Sequence, residues 1–217
     1  MDDKTFNQTI ANEWIRIIED TSSSVREKDI YPLIRELLDQ SSGITVLDIG
    51  CGQGVCSAHL GDLQVKYDGV DPSDDLTLRA NDLYANAGRT FITGNIYALP
   101  FQDHHFDAVF SIAVWHLLSD IAKASQELNR VLKNKGKFLI VTADPNQYPV
   151  WTDRYVEKNF NGSIFTGTNF IPDGTAAKDT LYLYKMEEIV TCLQSAGLTI
   201  MKSQVVRSFV AISGYKD

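Results

Sequence analysis

The sequence predicts an α/β protein: a seven-stranded, mostly parallel sheet with an antiparallel last strand and helices on both faces. Three observations carry that reading. Between Ile44 and Ala143, short β-branched-rich apolar runs alternate with stretches of helical period. The first of these runs feeds a glycine-rich turn, "VLDIGCGQGVC", from Val46 to Cys56. After Gly197, two strand-like runs are joined by a turn at Arg207, a connection so short that they must pair antiparallel.

The elements follow in order. Thr5 to Ile18 places Phe6, Ile10, Trp14, Ile17 and Ile18 on one stripe and predicts an amphipathic helix. "DTSSSVRE" (Asp20 to Glu27) is a polar break, and Asp29 to Leu38 a second helix with Pro32 tolerated in its first turn. The strands are expected at Ile44 to Ile49, Val65 to Asp71, Arg89 to Thr93, Phe106 to Val114 and Gly136 to Ala143. Helices are expected between them. One begins at Gly54 and runs to Leu60, and one covers Ser73 to Ala87 with Asp74 and Asp75 suited to its positive end. A third covers Asp120 to Leu132, with Ser119 as a candidate cap. Near-continuous apolar strands alternating with helices imply a parallel sheet covered on both sides.

The period then fails. Residues 144 to 184 show no clear repeat, yet Tyr148, Trp151, Tyr155, Phe160, Phe165, Phe170, Tyr182 and Tyr184 all fall there. A long aromatic connection at the carboxyl end of the fifth strand predicts a substrate lid or pocket wall. A packed excursion over the sheet edge is the plainer alternative. Lys185 to Ala196 resumes as a helix closed by Gly197, followed by strands at Leu198 to Val206 and Ser208 to Ser213. The expected organisation is one domain over 1–217, with a helical cover over 1–40 and a lid insertion over 144–184.

The totals narrow the function. A chain of 217 residues with 44 % hydrophobic and 22 % charged content can bury a full core. A net charge of −8 argues against a phosphate-neutralising surface, so no nucleic-acid partner is expected. Cys51, Cys56 and Cys192 suggest no disulfide framework and no common metal spacing; the first two read as small buried side chains. "MDDKTFNQTI" lacks a secretory pattern and no apolar run is long enough to span a bilayer, so a cytoplasmic monomer or homodimer is expected, without membrane association.

The glycine-rich turn decides the ligand class. A dinucleotide fingerprint, G-x-G-x-x-G, aligned on Gly50 and Gly52 puts Val55 where the third glycine belongs, which disfavours a nicotinamide oxidoreductase. "DIGCGQG" instead has an acid two residues before the first of three alternating glycines, Gly50, Gly52 and Gly54. Downstream come "VKYDGVDPS", with Asp71 19 residues after Gly52, then "ITGNIYALPFQDHHFDAVFSIAVWHLL" and "LNRVLKNKGKFLIVTADP". In this order these stretches resemble the motifs of class I S-adenosylmethionine (SAM)-dependent methyltransferases, over roughly residues 25 to 145. "REKDIYP" and "DTLYLYKMEEIVTCLQSAGL" further resemble flanks found in a small-molecule group of that family.

The resemblance implies a Rossmann-like sheet, SAM as donor, S-adenosylhomocysteine as product and a small-molecule acceptor. It implies roles residue by residue. Asp48 would hold the donor's amino end, with capping of the loop's own amides as the alternative. Gly50, Cys51, Gly52 and Gly54 form the loop, and a Cβ on Gly50 or Gly52 would obstruct the methionine portion. Asp71, followed by Pro72, would accept both ribose hydroxyls; its alternative is a plain cap. Asn95 stands where the family often has Asp, and its oxygen can still accept from the adenine amino group. Leu76 and Ile96 would flank the ring, or belong to the core, and the Ile96 amide would meet a ring nitrogen. Ser111 would offer its carbonyl to the amino group; "SIAV" there is not the motif of DNA amino-methyltransferases. Arg26 would meet the methionine carboxylate beneath a cover that includes Trp14, and Tyr31 is a similar candidate. His116 would face the acceptor as a base or contact, or merely bond a neighbouring loop. His104 and His105 read as a surface turn and His59 as a helix-face residue. SAM binding without turnover and protein methylation remain as alternative functions.

Overall fold

A computed structural model describes residues 25–38, 43–86, 88–153, 155–170 and 176–217. The helix expected over Thr5 to Ile18, with Trp14, lies outside them. The first described element starts earlier than the Asp29 expected from sequence. Arg26–Ile30 forms one turn of π-helix and continues into α1, Tyr31–Leu38. Pro32 explains the widened turn: its ring lacks an N–H and would press on the carbonyl four residues back in a regular helix. The Tyr31 N–H donates instead to the Arg26 carbonyl.

The central sheet has seven strands in the order β3-β2-β1-β4-β5-β10-β9. They are β1 Thr45–Ile49, β2 Lys66–Asp71, β3 Arg89–Thr93, β4 Phe106–Ile112, β5 Leu132–Ala143, β9 Leu198–Val206 and β10 Phe209–Lys216. The first five pair in parallel, and β10 runs antiparallel between β5 and β9. The expected mostly parallel sheet with an antiparallel last strand is therefore what the chain forms. Helices α2 Val55–His59, α3 Asp74–Tyr84, α4 Ile121–Val131 and α6 Met186–Ser195 connect the strands. Alternation along β1 shows both faces covered: Val46 packs with Ile34 of α1 in one apolar cluster, and Leu47 with Leu128 of α4 and Leu193 of α6 in the other.

Several ends differ from the sequence reading. Asp120, not Ser119, caps α4, its carboxylate accepting from the Lys123 N–H at 2.9 Å. β4 stops at Ile112 because Ala113 turns to a φ of 60°, left-handed and off any strand path. α3 ends at Tyr84 rather than Ala87.

The aperiodic segment is not a loop. After a 3₁₀ turn at Pro145–Gln147 and the short helix α5, Tyr148–Thr152, it builds a second, three-stranded antiparallel sheet. Its strands are β6 Val156–Asn161, β7 Ile164–Phe170 and β8 Ala176–Tyr182. Gly162, with a φ of 61°, and Ser163 turn β6 into β7 between the paired Asn161 and Ile164. Tyr155, Phe165 and Leu181 form its small core.

Candidate functional site

The strand order reverses between β1 and β4, and open α/β sheets bind ligands outside the carboxyl ends at such a point. Ser111 ties the two strands there, its hydroxyl donating to the Ile49 carbonyl at 2.9 Å. Ser111 is the penultimate residue of β4. The glycine turn leaves β1 directly. Gly50, Gly52 and Gly54 have φ of 77°, 54° and 80°, all in the left-handed region that favours glycine. The N–H groups of Gly50 and Cys51 both donate to the Val70 carbonyl of β2, at 2.7 and 3.1 Å.

Gly50 has a second constraint, and it is not the one expected. A Cβ there would lie 2.1 Å from Cγ2 of Val114, so the space is taken by this chain's own side chain rather than by a ligand. Ala113 and the turn after β4 bring Val114 to that position.

Asp71 ends β2 and is 9 % exposed. Its Oδ2 accepts from the Gly52 N–H at 2.9 Å and its Oδ1 from the Ser73 N–H at 3.0 Å. One carboxylate thus joins the glycine turn to the start of α3, and burial raises its pKa above the ordinary carboxylate value while those two amides lower it. Each oxygen keeps a lone pair. Pro72 beside it is exposed, and Leu76, whose N–H donates to Ser73 Oγ, is buried.

Asp48 is 1 % exposed on β1, and its Oδ2 accepts from Tyr67 Oη at 2.5 Å. Burial pushes its pKa up to about 7, against the Tyr67 hydrogen bond, which lowers it; nearby Asp71 adds to the rise and Arg26 opposes it. Arg26, from the π-turn, also lies near Tyr31 and Cys56. The structure thus brings Arg26, Tyr31, Asp48 and Asp71 to one end of the sheet. Tyr31 stacks on His59, with centroids 4.1 Å apart. The Cys51 and Cys56 thiols are buried and pushed well up by desolvation, as filler would be.

Asn95 follows β3. Its Oδ1 accepts from the Tyr97 N–H at 2.9 Å, so this side chain shapes its own turn before it meets any ligand. Ile96 is buried and belongs to the core cluster that also holds Ile49 and Val70. His116 sits in the 3₁₀ turn Trp115–Leu117 and is 8 % exposed. Its N–H donates to Thr142 Oγ1 at 3.0 Å, and its Nδ1 lies 3.1 Å from the same oxygen. The Trp151 ring of α5 stands 5.6 Å from the His116 ring, so the aromatic segment reaches this side of the site. His104 and His105 are exposed, and among the described residues no cluster of metal-ligating side chains occurs.

Sequence reasoning missed three residues: Tyr67, Thr142 and Gln53. Gln53 stands between two of the loop glycines, buried, and among the described residues its Oε1 has no hydrogen-bond partner. Its position inside the motif was the available signal. This orphaned oxygen, the open lone pairs on Asp71 and the Asp48 carboxyl beside Arg26 fit a polar ligand with hydroxyl and amino donors and a carboxylate. SAM has that donor set.

A glycine turn at the switch point, an acid closing it from β2 and a second acid beneath it mark the end of an open α/β sheet where ligands bind. Comparisons with known proteins narrow the class. A methyltransferase-domain family matches residues 47–140. An Encephalitozoon cuniculi protein described as a methyltransferase is 40 % identical over 164 residues, covering 72 % of this chain and 70 % of that protein. The sterol 4-C-methyltransferase of Caenorhabditis elegans is 30 % identical over 117 residues, and the chain spans only 35 % of its length. A solved SAM-dependent methyltransferase from Methanosarcina mazei superposes with a TM-score of 0.71 at 22 % identity, over 87 % of this chain and 98 % of the other. The chain belongs to the class I SAM-dependent methyltransferases. Among the described residues no helix is long and apolar enough to cross a membrane.

Proposed function

We propose that this protein transfers a methyl group from SAM to a small-molecule acceptor held beneath residues 144–184. Bound SAM supplies a methyl carbon made electrophilic by its sulfonium. The residues of the chain bind, orient and exclude water. Asp71 accepts from the ribose hydroxyls with the lone pairs its two amide bonds leave. Asp48 takes the amino group and Arg26 the carboxylate of the methionine portion. Asn95, the Ile96 amide and the Ser111 carbonyl meet the adenine edge, between Leu76 and the Ile96 side chain. His116, held at Nδ1 by Thr142, contacts the acceptor, and Trp151 shields it. Much of the rate then comes from holding donor and acceptor in line.

The observation that carries this reading is the Asp71 carboxylate, buried and already bound to the glycine turn, at the end of the strand beside β1. Calorimetric titration with S-adenosylhomocysteine tests it. Binding by the wild type, abolished in Asp71→Ala, is expected. A folded protein that gives no heat with S-adenosylhomocysteine or SAM overturns it.

A further inference from the structure

The turn between β9 and β10 carries an arginine in a place that does not suit it. The loop has two residues, Arg207 and Ser208, between the paired Val206 and Phe209. Arg207 has a φ of 57°, in the left-handed region, at the first loop position. Hairpin turns with that backbone are dominated by Gly, Asn and Asp. The β6–β7 loop has the same length and the same second residue, and it places Gly162 there at a φ of 61°. A strained non-glycine residue persists only where its surroundings hold it, and such residues cluster at working sites.

The surroundings of Arg207 reach to two elements. On one side the turn is fastened to the carboxyl end of β5. The Ser208 carbonyl accepts from the Asp144 N–H and from Trp151 Nε1, each at 2.9 Å. Phe209 pairs with Ala143 of β5 and stands edge-on to the Trp151 ring, with centroids 4.7 Å apart. The base of the Arg207 side chain is therefore fixed. On the other side its Nε donates to Asp29 Oδ2 in an ion pair that spans 178 residues of sequence. Asp29 belongs to the π-turn Arg26–Ile30, three residues after Arg26. Glu27 and Lys28 between them are exposed, whereas Ile30 is buried. Arg26 itself lies near Asp48 and Tyr31, at the end of the sheet assigned to the donor.

We infer that Arg207 is a positioning residue for the donor: through Asp29 it holds the π-turn so that Arg26 meets the carboxylate of the methionine portion. The inference rests on the donor role proposed for Arg26. The Arg207 side chain is 59 % exposed and that of Asp29 25 %. An ion pair so open to water adds little to the stability of the fold, so its effect is on local geometry. The π-turn is a widened, single turn at the start of the described chain, and a contact on its outer side sets the direction of the residue one turn earlier.

The test is calorimetric titration of the full chain with two ligands. S-adenosylhomocysteine has the methionine-derived portion, and 5′-methylthioadenosine keeps the nucleoside and lacks that portion's amino and carboxylate groups. Two variants remove the guanidinium. Arg207→Gly suits the left-handed backbone, and Arg207→Gln keeps the Cβ, so a fault of folding in one is not shared by the other. Both should bind S-adenosylhomocysteine about threefold to fivefold more weakly than the wild type and 5′-methylthioadenosine equally well. Arg26→Ala should lose at least as much affinity for S-adenosylhomocysteine, and Arg207→Gln added to it should cost nothing further. Arg26→Ala that binds as the wild type does overturns the donor role of Arg26 and this inference with it. If Arg26→Ala weakens binding, the inference alone falls on any of three results. They are unchanged affinity in either Arg207 variant, an equal loss for both ligands, or a full Arg207→Gln loss on top of Arg26→Ala.

Discussion

The Tyr67 hydroxyl donates to Asp48 Oδ2 at 2.5 Å, inside the sheet and 19 residues away along the chain. The phenol is the hydrogen-bond partner of a carboxyl otherwise stripped of water, and Asp48 titrates near neutrality, at about 7. In the unfolded chain an aspartate titrates near pH ~4. Between those values the folded protein holds a proton that the unfolded chain has lost, so this stability is complete at low pH and disappears as pH rises through about 7. Thermal unfolding between pH 5 and 8 should show a slope of at most about 1.4 kcal/mol per pH unit from this group. Asp48→Asn should flatten it. Donor binding runs the other way: the ammonium of the methionine portion needs the carboxylate. S-adenosylhomocysteine affinity should therefore rise up to about tenfold per pH unit below pH 7 and level off above it. Tyr67→Phe should move that levelling to higher pH, since the bond it removes favours the charged form. A pH-independent affinity in the wild type would remove Asp48 from the donor site.

Asp71 joins two elements, so its substitutions should separate structure from binding. Asp71→Asn keeps one carbonyl oxygen and loses one amide bond, which costs about 1–3 kcal/mol in chemical unfolding. It should weaken S-adenosylhomocysteine binding by more than tenfold, because an amide cannot accept from two hydroxyls as a carboxylate can. Equal losses of stability and affinity, with binding restored at low temperature, would make Asp71 a cap and no more.

The central sheet was legible because its strands are buried on both faces. Continuous apolar runs such as Val46 to Leu47 and Val109 to Phe110 leave little choice but a covered parallel sheet. The β6-β7-β8 sheet was not legible, because every residue of β6 is exposed and the chain shows no burial period there. Gly162-Ser163 carries the glycine-first chemistry of a two-residue hairpin loop all the same. The glycine turn, Asp48 and Asp71 were legible as a motif. Their partners were not. Tyr67 faces Asp48 because β1 and β2 pair Val46 with Tyr67, and Thr142 meets His116 across 26 residues. Such pairs exist only once strand order and register are set, and no local spacing records them.

The Gly50 constraint predicts a two-part penalty. Gly50→Ala must hold a φ of 77° and place a methyl 2.1 Å from Val114 Cγ2. The first costs about 1–2 kcal/mol and the second about 1–3 kcal/mol more. Val114→Ala should remove the second part only. The double variant, followed by chemical unfolding, should therefore recover stability relative to Gly50→Ala without reaching that of Val114→Ala alone. Additive penalties would mean that the turn moves away from Val114 instead of pressing on it.

The tether between His116 and Thr142 predicts a loss confined to the acceptor side. The threonine hydroxyl meets both the N–H and Nδ1 of His116, so one oxygen fixes the backbone and the ring together. Thr142→Val is nearly isosteric and removes that oxygen, leaving a buried N–H without its acceptor and costing about 1–3 kcal/mol of stability. The residues assigned to the donor lie in the π-turn, on β1, β2 and β4, on α3 and in the turns after β1 to β3, and among the described residues none of them hydrogen-bonds Thr142. S-adenosylhomocysteine affinity should hardly change. Turnover of any acceptor found for the protein should fall, in kcat more than in KM, because a ring free to rotate no longer holds the near-attack pose. Thr142→Ser keeps the oxygen and should restore both stability and turnover. If Thr142→Val lowers KM and kcat in step with stability and Ser does not rescue it, the contact is packing alone and His116 has no role at the acceptor.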